Sequence, residues 1–111
     1  MEKLARYRAI LRRTVEQAAE YPPSNGAIEA IPICDETRDQ YLLLHLGWND
    51  LGRVFEVVCH LRLREGKVWI ERDGTADGLA TALLAAGIPP EDVVLAFQPA
   101  WKRPYTAFAV A

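Results

Sequence analysis

Arg53-Val54-Phe55-Glu56-Val57-Val58-Cys59-His60-Leu61-Arg62-Leu63-Arg64-Glu65-Gly66-Lys67-Val68-Trp69-Ile70-Glu71-Arg72 is the stretch on which the fold turns. Phe55, Val57, Cys59, Leu61 and Leu63 alternate with Glu56, Val58, His60, Arg62 and Arg64, the two-residue period of a strand with one buried face. Glu65-Gly66 suits a two-residue hairpin. A turn there sets Leu63 opposite Val68 and Leu61 opposite Ile70, apolar on apolar.

The same test works upstream. Tyr41 to Trp48 reads as a strand, and a turn centred on Asp50-Leu51 sets Phe55 opposite Leu46, Val57 opposite Leu44 and Cys59 opposite Leu42. Both strand pairs match on one face, and a one-residue slip would destroy the match. An antiparallel meander follows. A further strand near Ile28 to Cys34 contains Pro32, which lacks a ladder donor and so belongs at an edge.

Helices bracket the meander. Leu4, Tyr7, Leu11, Val15 and Ala18, with Ile10 beside them, form one stripe of a helix over Glu2 to Glu20 that Pro22-Pro23 ends. A second helix is predicted from Thr75 as N-cap, with Asp77 in its first turn, Leu79, Leu83 and Ala86 buried, and Gly87 just past its end. Val93 to Phe97 reads as a buried strand parallel to the Lys67 strand. Gln98 to Pro104 reads as a loop and Thr106 to Val110 as a last strand. The expected fold class is α+β: a mainly antiparallel sheet, a meander of about four strands plus one or two C-terminal strands, with an N-terminal helix and a second helix packed on it. Residues 1–111 are read as a single domain.

Composition narrows the function. The chain has 111 residues, half of them apolar and a quarter charged, with a formal net charge of −2. That is ordinary globular composition without the basic excess of a dedicated duplex-DNA binder. The first residues lack the apolar stretch of a signal peptide, and no apolar run reaches membrane-spanning length. The expectation is a cytoplasmic protein that does not touch the membrane, with Cys34 and Cys59 reduced.

Few residues point to chemistry. The two cysteines and two histidines have no metal-ligand spacing. Cys59 is placed in the core, and Cys34 is out of phase with Ile31 and Ile33. His60 is expected on the outer face with Tyr41 and Glu71, and His45 opposite Glu56. Asp73-Gly74-Thr75-Ala76-Asp77-Gly78 faintly resembles a calcium loop, but Leu84 stands where the twelfth-position Glu belongs. No catalytic residue, cofactor or metal is expected. A ligand or enzyme site around Asp73, Arg103 and His60 is a weaker reading, since nothing in the sequence brings them together.

The face of the sheet away from the first helix is expected to carry Tyr41, Leu43, Val58 and Trp69, with Arg62 opposite Trp69 in a cation–π pair. That is too apolar for a solvated face. Two readings fit: a protein interface, or a C-terminal segment folded across it. DNA contact is the rival, through Arg6 and Arg13 of the first helix and Lys102 and Arg103 of the late loop.

An ordered set of motifs resembles the XisI family, the fdxN-element excision controlling factors found chiefly in cyanobacteria. They are the first helix running into Tyr21-Pro22-Pro23-Ser24-Asn25-Gly26, then Asp35-Glu36-Thr37-Arg38-Asp39-Gln40-Tyr41, Gly47-Trp48 and Gly66-Lys67-Val68-Trp69-Ile70. Asp73-Gly74-Thr75, Ile88-Pro89 with Glu91-Asp92-Val93-Val94-Leu95, and Phe108-Ala109-Val110 complete it. The family often has Glu after Asp-Gly-Thr and His after the late Phe; here Ala76 and Gln98 stand instead, which argues against an acid–base role there. The resemblance implies a regulatory protein that works beside a recombinase and a nuclease-like companion, XisH. The expected partner is a XisH-like protein, held or restrained through Tyr41, Leu43, Val58, Arg62 and Trp69. A homodimer through the same face is the other option.

Overall fold

The computed structural model describes residues 2–111. Helix α1 spans Lys3–Ala18, with the Glu2 side chain accepting from the Leu4 backbone N–H at its start. Its buried residues are Tyr7, Ile10, Leu11 and Val15, the predicted stripe, with Leu4 and Ala18 packed at its margins. Strands β1 (Ala27–Asp35), β2 (Gln40–Asn49), β3 (Gly52–Arg64) and β4 (Lys67–Asp73) form the antiparallel meander. After helix α2 (Leu79–Ala85), strand β5 (Val93–Leu95) joins parallel to β4, and the sheet order is β1-β2-β3-β4-β5. The expected α+β class holds, and the edge position of the Pro32 strand with it.

Both hairpin registers at the turns are as read. Leu63 pairs with Val68 and Leu61 with Ile70. Glu65 and Gly66 have φ of +54° and +77°, the two positive values that a type I′ turn requires. At the other turn Phe55 pairs with Leu46 and Val57 with Leu44. Past that point the pairing departs from expectation: Cys59 lies opposite Leu43, not Leu42, and Leu61 opposite Tyr41. Val58 is an extra residue in β3, a β-bulge that shifts the side-chain phase. A second shift between His60 and Leu61 leaves Glu71 as the extra residue of β4.

The core forms between α1, α2 and one face of the sheet. Tyr41, Leu43, Cys59, Leu61, Leu63, Val68 and Ile70 supply the sheet side; Leu79, Leu83, Ile88 and Val93 close it. Polar clamps set α1 against the strands. Arg8 donates from Nε to Asp39 Oδ1 at 2.9 Å and from Nη2 to Oδ2 at 3.2 Å, and the Tyr41 hydroxyl donates to the same carboxylate. Asp39 adopts φ +52°, a conformation Asp tolerates better than most residues. Tyr7 donates to Asp92, which also pairs with Lys3 at 3.0 Å.

Helix α2 is shorter than predicted. It starts at Leu79, and Gly78, not Thr75, stands before it. The cap comes from Asp73, whose Oδ2 accepts from Leu79 N at 2.7 Å while Oδ1 accepts from Thr75. A carboxylate on β4 reaches the helix start from outside, so the intervening residues form a loop. Asp77 therefore lies before the first turn, and Ala86 is exposed at the helix end. Gly87 does stand just past the helix end, and Ile88 N donates to Leu83 O across it, closing the cap. Strand β5 stops at Leu95 because Ala96 N turns back onto Val94 O. The predicted last strand is reduced to one parallel bridge between Val94 and Ala109.

The bulge makes an asymmetric prediction. Leu61→Ala should lower unfolding free energy by about 2–5 kcal/mol. Phe55→Ala, in phase with Leu61 by simple alternation but outside the core, should cost under about 1 kcal/mol in dilute solution. Urea titration of both variants measures the difference.

Acid should also loosen the molecule. Burial pushes the Asp92 carboxyl up, but the hydrogen bonds from Tyr7 and Lys3 outweigh it and leave the group below its usual range. The stability this contributes is present above the ordinary carboxylate pKa and lost as pH falls through the lowered value. Tyr7→Phe should shrink the fall in melting temperature between neutral pH and about pH 3.

Candidate functional site

The bulge distributes the candidate residues between two faces. Tyr41 and Leu43 point under α1 and are buried, so their expected place on the outer face is corrected. Val58 lies at the phase shift and lines a cleft on the helix side, with Leu43 and His45. Of the five candidate interface residues only Arg62 and Trp69, a registered pair, belong to the outer face.

Trp69 is 8% exposed because the C-terminal segment covers it. Arg103 stacks on its ring at 5.6 Å from one side of the sequence, and Arg64 at 5.1 Å from the other. The Trp69 indole N–H donates to Arg64 O. Arg62 instead pairs with Glu71 at 3.3 Å, so the cation–π partner of Trp69 is corrected to Arg64 and Arg103. The guanidinium of Arg103 also donates to Gln98 O, Ala96 O and Val110 O, which ties the last turn of chain together. The folded-over C-terminal segment is therefore real, but it covers only the β4 and β5 side.

Across β1, β2 and β3 the outer face is uncovered. Successive rows read Ala27–Trp48–Arg53, Glu29–Leu46–Phe55, Ile31–Leu44–Val57, Ile33–Leu42–His60 and Asp35–Gln40–Arg62. None of these residues is buried. Trp48 is 61% exposed and Phe55 73% exposed, with Arg53 lying against both rings. Eight large apolar side chains thus face outward in three columns. A solvated antiparallel face would carry mainly polar residues at these positions.

The helix side holds a cleft of about 480 Å³, lined by Thr14, Gln17, Tyr21, His45, Val58 and the loop from Gly74 to Leu79. His45 Nδ1 lies 4.0 Å from Glu56, a loose surface contact. Asp73 faces this side and is spent on capping α2. His60 and Arg103 belong to the opposite face, where His60 pairs with Gln40 at 2.7 Å. The three residues of the ligand reading are not brought together. Burial holds the His60 imidazole below its usual range. Among the described residues, no group of three His, Cys, Asp or Glu side chains is placed to hold a metal.

The candidate DNA contacts are also split. Arg6 and Arg13 line a groove between α1 and α2. Lys102 sits over the exposed Trp101 ring and Arg103 over Trp69, across the sheet from that groove. Both thiols are free, and burial raises both, Cys59 to about 11.

A match to the XisI protein family model spans residues 1–110. The chain belongs to the XisI family. Two solved structures agree. A XisI-like protein from Anabaena variabilis is 31% identical over 97% of this chain and 99% of its own, with a TM-score of 0.89. The fdxN element excision controlling factor XisI from the same organism is 35% identical over 99% of this chain and all of its own, with a TM-score of 0.84. Curated proteins yield no match. No helix among the described residues is long and apolar enough to cross a membrane.

Sequence reading missed the uncovered columns because it carried one phase through β3. Val57-Val58-Cys59, three apolar residues in a row inside an alternating strand, was the available signal.

Two measurements check these placements. Iodoacetamide should label Cys34 in the native protein while Cys59 stays protected until unfolding. Asp73→Ala should cost about 0.5–2 kcal/mol through the lost cap, and added calcium should leave the wild-type melting temperature unchanged.

Proposed function

We propose that this XisI-family chain is a non-catalytic regulatory factor that controls a XisH-like, nuclease-type protein by binding it. The observation that supports this reading is the aromatic shelf of the C-terminal segment. Trp101 is 69% and Tyr105 87% exposed, Lys102 lies over the Trp101 ring, and Arg103 anchors the shelf beneath them on Trp69. Large aromatics held on a fixed support are the residues that concentrate binding energy at protein interfaces. One solved relative carries the name excision controlling factor, which fits a regulator. Several charged groups are committed to local structure: Arg8 and Asp39 in a clamp, Asp73 in capping α2, and Arg62 and Glu71 in a surface pair.

The test is co-expression with the XisH-like protein of the same genome and mass-resolved size exclusion. A stable complex is expected. Trp101→Ala with Tyr105→Ala should weaken it by about tenfold or more without changing the melting temperature. Unchanged affinity would remove the shelf from the interface. Nuclease activity of the partner with and without this chain gives the direction of control.

A further inference from the structure

The uncovered columns of β1, β2 and β3 are a different surface from the Trp101 shelf, and their layout identifies what covers them. Strand spacing and rise make the patch roughly 14 by 30 Å. That matches the largest apolar patches of monomers, which mark interaction sites. Charge is distributed unevenly around it. The β1 column carries Glu29 and Asp35, the latter paired with Arg38 of the following turn; the β3 column carries Arg53 and Arg62, the latter paired with Glu71 of β4. The β2 column between them is Leu42, Leu44 and Leu46, closed by Trp48.

We infer that a second copy of this chain packs on this face, related by a two-fold axis that lies in the interface and runs close to β2. That operation lays each row on its own reversed row. Leu44 meets Leu44, Ile31 meets Val57, and Asp35 meets Arg62 of the second copy. Arg53 lands on Ala27, beside Glu29 on the same face of β1. Acid meets base on both margins and the leucines meet in the middle. Sheets packed face to face cross at about 30°, which keeps Leu44 on Leu44 at the axis and swings the end rows sideways by roughly 7 Å, a span the long Arg53 and Arg62 side chains can reach across.

The alternative in-plane axis, across the strands, fails on the same residues. It would set Arg53 over Arg62 and lay Trp48 on Gln40, putting like charges together and apolar surface on polar. The face is complementary to itself in one arrangement, as an isologous dimer demands. A XisH-like protein on the face would not need its acid and base to be matched row by row.

Sedimentation velocity of the full chain at about 50 µM should give a dimer, twice the 12.4 kDa chain mass. Leu44→Glu should give a folded monomer, since Leu44 is only half-buried in the single chain. Trp48→Ala with Phe55→Ala is the gentler second variant and should weaken the dimer by about tenfold or more. Glu29→Arg and Arg53→Glu should each weaken it, and the double exchange should restore it to within about threefold of wild type. A wild-type monomer at this concentration, a dimer that survives both apolar variants, or an exchange that fails to restore would each overturn the inference. So would a chain that stays monomeric and takes up the XisH-like protein through Leu44. Loss of partner binding in the Trp101 and Tyr105 variant, with the dimer intact, would bear on the shelf alone.

Discussion

One extra residue in β3 governs how this sheet meets everything around it. Without Val58 as a bulge, Phe55, Val57, Cys59, Leu61 and Leu63 would share a face, and α1 would need to cover the whole length of the strand. With it, Cys59, Leu61 and Leu63 turn toward the helix while Phe55 and Val57 turn away. The partner strand is built for this, since Tyr41-Leu42-Leu43-Leu44 is apolar on both sides. A strand pair apolar on both faces, with a helical layer on one, leaves apolar surface on the other.

The helical layer is itself placed by charge as much as by packing. Arg8 and Tyr41 converge on Asp39, and Lys3 and Tyr7 on Asp92, with the helix residues of both clamps in the amino-terminal half of α1. Burial and the bond to Asp92 hold the Tyr7 hydroxyl at about 12, so it remains a donor throughout the usual pH range. These pairs are partly shielded from solvent, and each carboxylate takes more than one donor. They fix the helix over β2 and β3, where the apolar stripe alone would allow it to slide.

Much of this architecture was legible in the residues. Turn chemistry at Glu65-Gly66 and apolar matching across Leu63 and Val68 were enough to place β3 against β4. The stripe from Leu4 to Ala18 gave α1 to within two residues. What periodicity could not convey was a change of phase. A strand reading assumes alternation, and a bulge breaks alternation at a point marked only by Val57-Val58-Cys59. Tyr41 and Leu43 were misplaced for that reason alone. The start of α2 was misread for a different one: its cap is Asp73, six residues before Leu79, and a cap acting across a loop has no short-range signature. The covering of Trp69 by Arg103 belongs to the same class, a contact between distant parts of the chain.

The hydrogen bond between Tyr7 and Asp92 joins residues 85 apart in sequence. The hairpins of the meander, by contrast, close over a few residues each. Short closures are fast and distant ones slow, because chain entropy must be surrendered before the contact rewards it. Contact separation predicts an order of folding, with the β2–β3–β4 ribbon early and the docking of β5 and the amino-terminal helix late. During that interval both faces of the ribbon are bare, and the same residues that give the sheet its binding capacity are the ones a crowded solution would find first.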